Sequence, residues 1–176
     1  MKPNNKVLEG AYPVLAWEPA DLNSSGATGD YVNMAKYERV LFVAQLGDGT
    51  AGNDVDFTVK QAKDASGTSA KDCDCLKTGR IYSQLAADYA TQAALTEWTE
   101  ETQATADAEW ADATNGEKVG LVCLEIHAED LDVDNDFDFI RVDASDPGAS
   151  KVVTGVYYCV GPRYASAPEL MLNPRS

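Results

Sequence analysis

Residues 40–46, Val-Leu-Phe-Val-Ala-Gln-Leu, form a short apolar run rich in branched and aromatic side chains, and Gly47-Asp48-Gly49 closes it. Such a run bounded by a turn predicts a buried strand. Val55, Phe57 and Val59 then alternate with Asp56, Thr58 and Lys60, the pattern of a half-buried strand, and the Ala65-Ser66-Gly67-Thr68 turn follows. Ile81, Ser83 and Leu85 predict a further short strand with Tyr82 and Gln84 on its other face. Residues 119–126 read as a core strand. Residues 136–143 alternate, with Phe137, Phe139 and Val142 on apolar faces, and Asp146-Pro147-Gly148 makes a turn. Residues 152–160 form the last long strand, closed by Gly161-Pro162. Six strand signals joined mostly by Gly- and Asp-rich turns predict a mainly β chain, an antiparallel β-sandwich of jelly-roll-like form. Regular strand–helix alternation is missing, which argues against a parallel α/β fold.

Two stretches depart from this pattern. Residues 86–114 are rich in Ala, Thr, Glu and Gln and contain neither Pro nor Gly, with Leu95, Trp98 and Trp110 among the few large apolar residues. An amphipathic helix over residues 88–106 is the expectation, with an irregular excursion as the alternative because threonine weakens a helix. Either way, Asn115-Gly116 ends the stretch. Residues 1–38 carry Pro3, Pro13 and Pro19 and the stretch Asn-Ser-Ser-Gly-Ala-Thr-Gly, which suits an extended N-terminal arm and loop. Its apolar cluster, Tyr12, Val14, Leu15 and Trp17, must pack on the chain's own core or on a neighbouring subunit. The expected organisation is an arm over 1–38, a sandwich domain over 39–165 and a C-terminal tail over 166–176 that carries Leu170, Met171 and Leu172.

The 176-residue length suits one core. The formal charge of −15 sets it apart from an ordinary globular chain. A polyanion is repelled by such a field, so nucleic acid and anionic lipid are not expected partners. Sixteen acids and two bases, Lys118 and Arg141, fall within residues 97–146, which are therefore expected to form a solvated face. The apolar run at 40–44 is far short of a membrane span, and the sequence Met-Lys-Pro-Asn-Asn begins no apolar leader, so neither feature is expected.

Candidate chemistry is sparse. Cys73 and Cys75, in an extended chain, would lie about 7 Å apart on one face, too far for an unstrained bridge, while Cys123 and Cys159 sit in apolar strands. Free, buried thiols are expected. His127 is the single histidine, at the end of a predicted strand. The run Asp132-Val-Asp-Asn-Asp-Phe-Asp resembles a calcium loop, yet its sixth position is Phe137 and its twelfth Asp143, where an EF-hand needs Gly and Glu. A strand-connecting turn is expected there. No nucleophile elbow, phosphate loop or dinucleotide fingerprint accompanies these residues. The expectation is a protein that is not an enzyme, with no catalytic residue, cofactor or metal.

Residues 37–47, Tyr-Glu-Arg-Val-Leu-Phe-Val-Ala-Gln-Leu-Gly, followed by 54–72 with Val-Lys-Gln-Ala-Lys-Asp-Ala-Ser-Gly-Thr-Ser-Ala-Lys, resemble the small structural proteins of tailed bacteriophages found near the major capsid protein. Residues 125–142 and Gly161-Pro-Arg-Tyr164 resemble the same family. The resemblance spans roughly 30–85 and 118–165 and leaves 86–117 as an insertion. It implies a virion component made in the host cytoplasm: a head decoration (cement) protein on the outer capsid surface, bound to the major capsid protein as a homo-oligomer, with a trimer favoured. The alternative is a vertex, spike-base or tail protein that binds a receptor or glycan through Trp98 and Trp110. In the first reading Tyr12, Val14, Leu15, Trp17, Leu170, Met171 and Leu172 are the capsid contacts, and removal of residues 1–20 should leave the domain folded.

Overall fold

The computed structural model describes Leu8 and residues 10–87, 97–163 and 173–175. Each predicted strand is present: β4 (Tyr37–Leu46), β5 (Phe57–Ala62), β7 (Ile81–Ala86), β10 (Val119–His127), β11 (Phe139–Ala144) and β12 (Val152–Pro162). To these the fold adds β1 (Ala11–Asp21) and the two-residue strands β2 (Ala27–Thr28), β3 (Val32–Asn33), β6 (Lys71–Asp72), β8 (Thr99–Glu100) and β9 (Glu109–Trp110). All pairings are antiparallel. A major sheet runs β1-β12-β4-β10-β7-β8, and a minor sheet runs β2-β11-β5-β6, with β3 on β11 and β9 on β5. The fold is an antiparallel β-sandwich.

Strand periodicity decides what lies between the sheets. Even-numbered residues of β4 and β10 and odd-numbered residues of β12 point inward: Val40, Phe42, Ala44, Val122, Leu124, Ile126, Val153, Tyr157 and Cys159 are buried. The minor sheet answers with Phe57, Val59, Ile140 and Val142. Aromatic rings bridge the two layers. Phe42 contacts Trp17, Phe57 and Tyr157 at centroid distances of 5.4, 5.6 and 5.6 Å, and Phe57 stacks on Trp110 at 5.7 Å. The Val142 N–H donates to the Tyr157 hydroxyl at 2.8 Å, a polar stitch between the sheets that satisfies a buried phenol. Gly155 makes room for this cluster, since a Cβ there would meet Phe42 and Trp17 carbons at 2.7–2.9 Å.

Three expectations change. First, residues 11–21 are the edge strand of the major sheet, paired with β12 from Ala11↔Val160 to Asp21↔Val152, not an arm outside the sandwich. Trp17 is buried, and its indole N–H donates to the Val153 carbonyl at 3.3 Å. Second, residues 97–106 are not helical; they contain β8, and the excursion returns to the core through β9, where Trp110 packs. The expected helix's first part, 88–96, lies outside the described residues. Third, the inward face of β11 is Ile140, Val142 and Ala144. Phe137 is buried from the preceding turn, where Asp136 adopts a left-handed φ of 64° that resets the alternation.

The excursion is fastened where it rejoins the sandwich. Asn115 is fully buried; its amide donates to the carbonyls of Val55 and Asp112, both at 2.9 Å, and its Oδ1 accepts the Val55 N–H at 2.9 Å. Beside it, buried Lys151 donates from Nζ to the carbonyls of Asn115, Gly116 and Lys118 at 2.7, 2.8 and 3.0 Å. Three acceptors fill the three donor positions of an ammonium. Burial pulls its pKa below the usual lysine value, opposed by Asp48, Asp54 and Glu117. Among the described residues no helix is long and apolar enough to cross a membrane.

Lys151→Met keeps the side-chain stem and orphans three carbonyls, so urea unfolding is expected to show a loss of about 3 kcal/mol. Deleting residues 1–20 removes Trp17 from the core. Thermal unfolding of Trp17→Ala is expected to show a loss of about 3–5 kcal/mol, and the deletion a larger one.

Candidate functional site

A strand has two faces, and on the outward face of the major sheet a central band of apolar residues lies between Gln45, Gln84 and Thr154 on one side and Arg39, Glu125 and His127 on the other. Registers align them in rows across the sheet. Leu15 of β1 lies opposite Val156 of β12, which lies opposite Val43 of β4, then Cys123 of β10 and Tyr82 of β7. In the next row Pro13, Tyr158 and Leu41 are neighbours, ending at Glu125. Towards the other end, Gln45 and Leu121 with Gly47, Val119 and Gly120 border a shallow hollow of about 450 Å³. Leu15 is 53% exposed and Tyr158 38%, while Val43, Leu121 and Val156 are half-buried by their neighbours on the face. The central row carries no formal charge, in a chain of net −15.

The charged residues lie at one end of this face and elsewhere on the molecule. At the β10 terminus, Glu38, Arg39, His127, Ala128, Glu129 and Arg163 line a cavity of about 290 Å³. His127 is the last residue of β10. Its Nε2 is 2.9 Å from Glu125 Oε1, which Arg39 also engages at 3.0 Å, and its Nδ1 is 3.6 Å from Glu129. Desolvation would raise the Glu125 carboxyl, but the hydrogen bonds from His127 and Arg39 outweigh it and hold the pKa below the ordinary glutamate value.

The acidic segment after β10 is not simply a solvated face. It forms two 3-10 turns, Ala128–Asp130 and Val133–Asn135, packed against basic residues contributed by 71–80. Arg80 pairs with Asp130 and lies 3.8 Å from Glu129, Lys77 lies 3.7 Å from Asp130, and Lys71 pairs with Asp132. Lys71 Nζ also sits 4.1 Å from the centre of the Phe137 ring. Asp132 Oδ1 accepts the Asn135 amide at 2.7 Å, so both its oxygens are engaged within the protein. The turn expected in place of a calcium loop is therefore a salt-bridged clasp. Among the described residues no group of three or more His, Cys, Asp or Glu is placed to hold a metal ion.

All four cysteines are free. The Cys75 N–H donates to the Cys73 carbonyl at 2.7 Å, so the chain turns between them, and both side chains are buried, as expected of free thiols. A hydrogen bond with Cys73, with burial, pushes the Cys75 thiol far above its usual range. Burial raises Cys159 to about 12 and the outward-facing, half-buried Cys123 to about 11.

The expected contact residues separate. Tyr12 packs against the core, Val14 is half-buried, Trp17 is core, and Leu15 projects from the outer face. Leu170, Met171 and Leu172 lie outside the described residues. Residues 173–175, just after them, dock on the sandwich: the Asn33 N–H donates to the Pro174 carbonyl at 2.6 Å, Lys36 Nζ to the Asn173 carbonyl at 3.0 Å, and Arg175 pairs with Asp30 at 2.8 Å and donates to the Leu15 carbonyl. Of the two tryptophans proposed for a receptor or glycan, Trp98 is 47% exposed and Trp110 is buried against Phe57. Leu41, Val43, Leu121, Val156 and Tyr158 were not singled out from the sequence. Their signal was the absence of polar alternation in 40–46 and 152–160, the pattern of strands covered on both sides.

No family model matches the chain, and no curated protein sequence matches it. Among solved structures it is similar to a chain in the structure of the infectious bursal disease virus Gt strain, at 13% identity and a TM-score of 0.25. It is likewise similar to the VP2 subviral particle of that virus, at 14% identity and a TM-score of 0.23. Each match covers 92% of this chain but 43% and 42% of the other, so the chain spans less than half the length of these structures. Superpositions this loose carry no inference about function.

The Lys71–Asp132 clasp gives a pH signature. Hydrogen bonds from Lys71 and Asn135 lower the Asp132 pKa below the ordinary aspartate value of 3.8. A depressed folded-state pKa adds stability that is complete above the unfolded value and is lost as pH falls through the folded value. Urea unfolding of wild type and Asp132→Asn should therefore differ by a constant amount above pH 3.8 and converge below it.

Proposed function

We propose that this protein is a structural component of a virion, a head decoration protein of a tailed bacteriophage that attaches to the outer capsid surface and bridges neighbouring capsid proteins. The observation that carries this reading is the charge-free apolar row on the outer face of the major sheet, Leu15–Val156–Val43–Cys123–Tyr82. Apolar rows held on a rigid sheet are suited to adhesion to another protein, and exposed apolar surface of this extent marks such contacts. The resemblance of residues 37–72, 125–142 and 161–164 to small phage structural proteins supplies the setting.

In this reading the protein works by adhesion and not by turnover. The aromatic bridge and the Lys151 junction keep the sheet rigid, so little ordering entropy opposes attachment. The negative charge disfavours adhesion to released nucleic acid, and apolar burial contributes roughly 25 cal/mol per Å² towards holding capsid proteins together against internal pressure. Exposed Trp98 supports the second reading, a vertex or tail protein that binds a glycan or receptor.

Copy number separates the two. Image reconstruction of particles of the virus that encodes the chain is expected to place hundreds of copies at symmetry-related positions outside the head. A few copies at one vertex or on the tail would favour the second reading, and absence from purified particles would overturn both.

A further inference from the structure

We infer that the outer face of the major sheet is a pairing surface on which a second copy of this chain docks face to face. The inference concerns the free protein: it uses the same face that the proposed function gives to the capsid, so pairing and attachment exclude one another, and a failure of pairing in solution leaves the proposed attachment standing.

The size of the face is the first argument. Five strands at about 4.8 Å and four two-residue steps at about 6.8 Å give an area roughly 24 Å by 27 Å, or about 650 Å². Two such faces, polar end rows included, come to about 1,300 Å², just above the roughly 1,200 Å² at which specific protein association begins. Area alone fits many partners, so the second argument is charge. Any unrelated surface must match the −15 charge of this chain with an excess of positive residues or approach only where the charge is absent. The central row is such a place, and a second copy presents the same charge-free row. At the charged end of the face both signs are present: Arg39 and Arg163 stand beside Glu38, Glu125, His127 and Glu129. A surface with both signs and an apolar centre is complementary to itself.

A face that meets its own copy satisfies both surfaces after one contact, so the assembly closes as a pair, the isologous arrangement of two-fold dimers. The inference is thus of a pair in solution, where the resemblance implied a trimer. Sheets packed in this way stand about 10 Å apart, with Val43, Cys123 and Val156 interleaved with their counterparts. Two bodies of like charge repel at long range, so salt strengthens the pairing instead of weakening it.

The test uses the whole chain. Light scattering during gel filtration, with the protein loaded at about 10–100 µM, the range in which interfaces of this size associate, is expected to give a mass twice the 18.9 kDa of one chain, or an even multiple of it. The paired fraction should grow with added salt. Cys123 lies in the centre of the face while Cys73, Cys75 and Cys159 are buried, so its maleimide labelling rate in wild-type protein should fall as concentration rises. Val43→Lys is expected to restore the single-chain mass and a labelling rate that is independent of concentration. The wild-type labelling series stands on its own if that variant does not fold. A single-chain or three-chain mass across this range, or a doubled mass with Cys123 labelling unaffected by concentration, overturns the inference.

Discussion

A sheet has two faces, and a sandwich of two sheets covers only one face of each. The minor sheet buries Val40, Phe42, Ala44, Val122, Leu124 and Ile126 of the major sheet, yet the alternating positions Leu41, Val43, Leu121 and Cys123 are apolar too. The strands of the major sheet thus have the composition of strands enclosed on both sides, which antiparallel sheets with a solvated face normally lack. The proposed adhesive role rests on this one imbalance. The aromatic contacts of Phe42 with Trp17, Phe57 and Tyr157 join the two sheets, so the alternate residues of the same strands are directed outward.

The electrostatics lead to the same place by a different route. A chain with 29 acids and 14 bases would be expected to spread negative charge over its whole surface. Instead Lys71, Lys77 and Arg80 are drawn to the acidic turns after β10, and Lys151 is spent inside the protein on three carbonyls. These pairings fasten loops, and they leave the centre of the outer face without formal charge. The same allocation explains why Asp132, which looks from its neighbours like a cation ligand, is already occupied by Lys71 and Asn135.

Much of the fold was legible in the sequence because β4, β5, β10 and β12 carry long, unambiguous patterns. β1 was not, because Pro13 and Pro19 and the irregularities between Leu15 and Ala20 interrupt its alternation, although its pairing with β12 continues past them. Two-residue strands such as β8 and β9 have no periodicity to detect; they form because the excursion must return Trp110 to Phe57. In β11 the left-handed Asp136 shifts the inward parity after Phe137, a change no alternation count anticipates. The candidate site was legible only as an excess of apolar residues. Which of them face outward depends on partners far away in sequence, such as Val43 opposite Val156 and Cys123. The expected contact residues were drawn from chain ends, where Trp17 proved to be core and Leu15 projecting.

The claim that the outer face of the major sheet is covered in the working assembly is tested most directly by hydroxyl-radical footprinting, comparing dilute free protein with the protein in its native assembly. Tyr82, Tyr158 and Leu15, which all face outward, are expected to be oxidised in the free chain and protected in the assembly, while Trp98 is oxidised in both. Equal oxidation of Tyr158 and Leu15 in the two states would contradict the account.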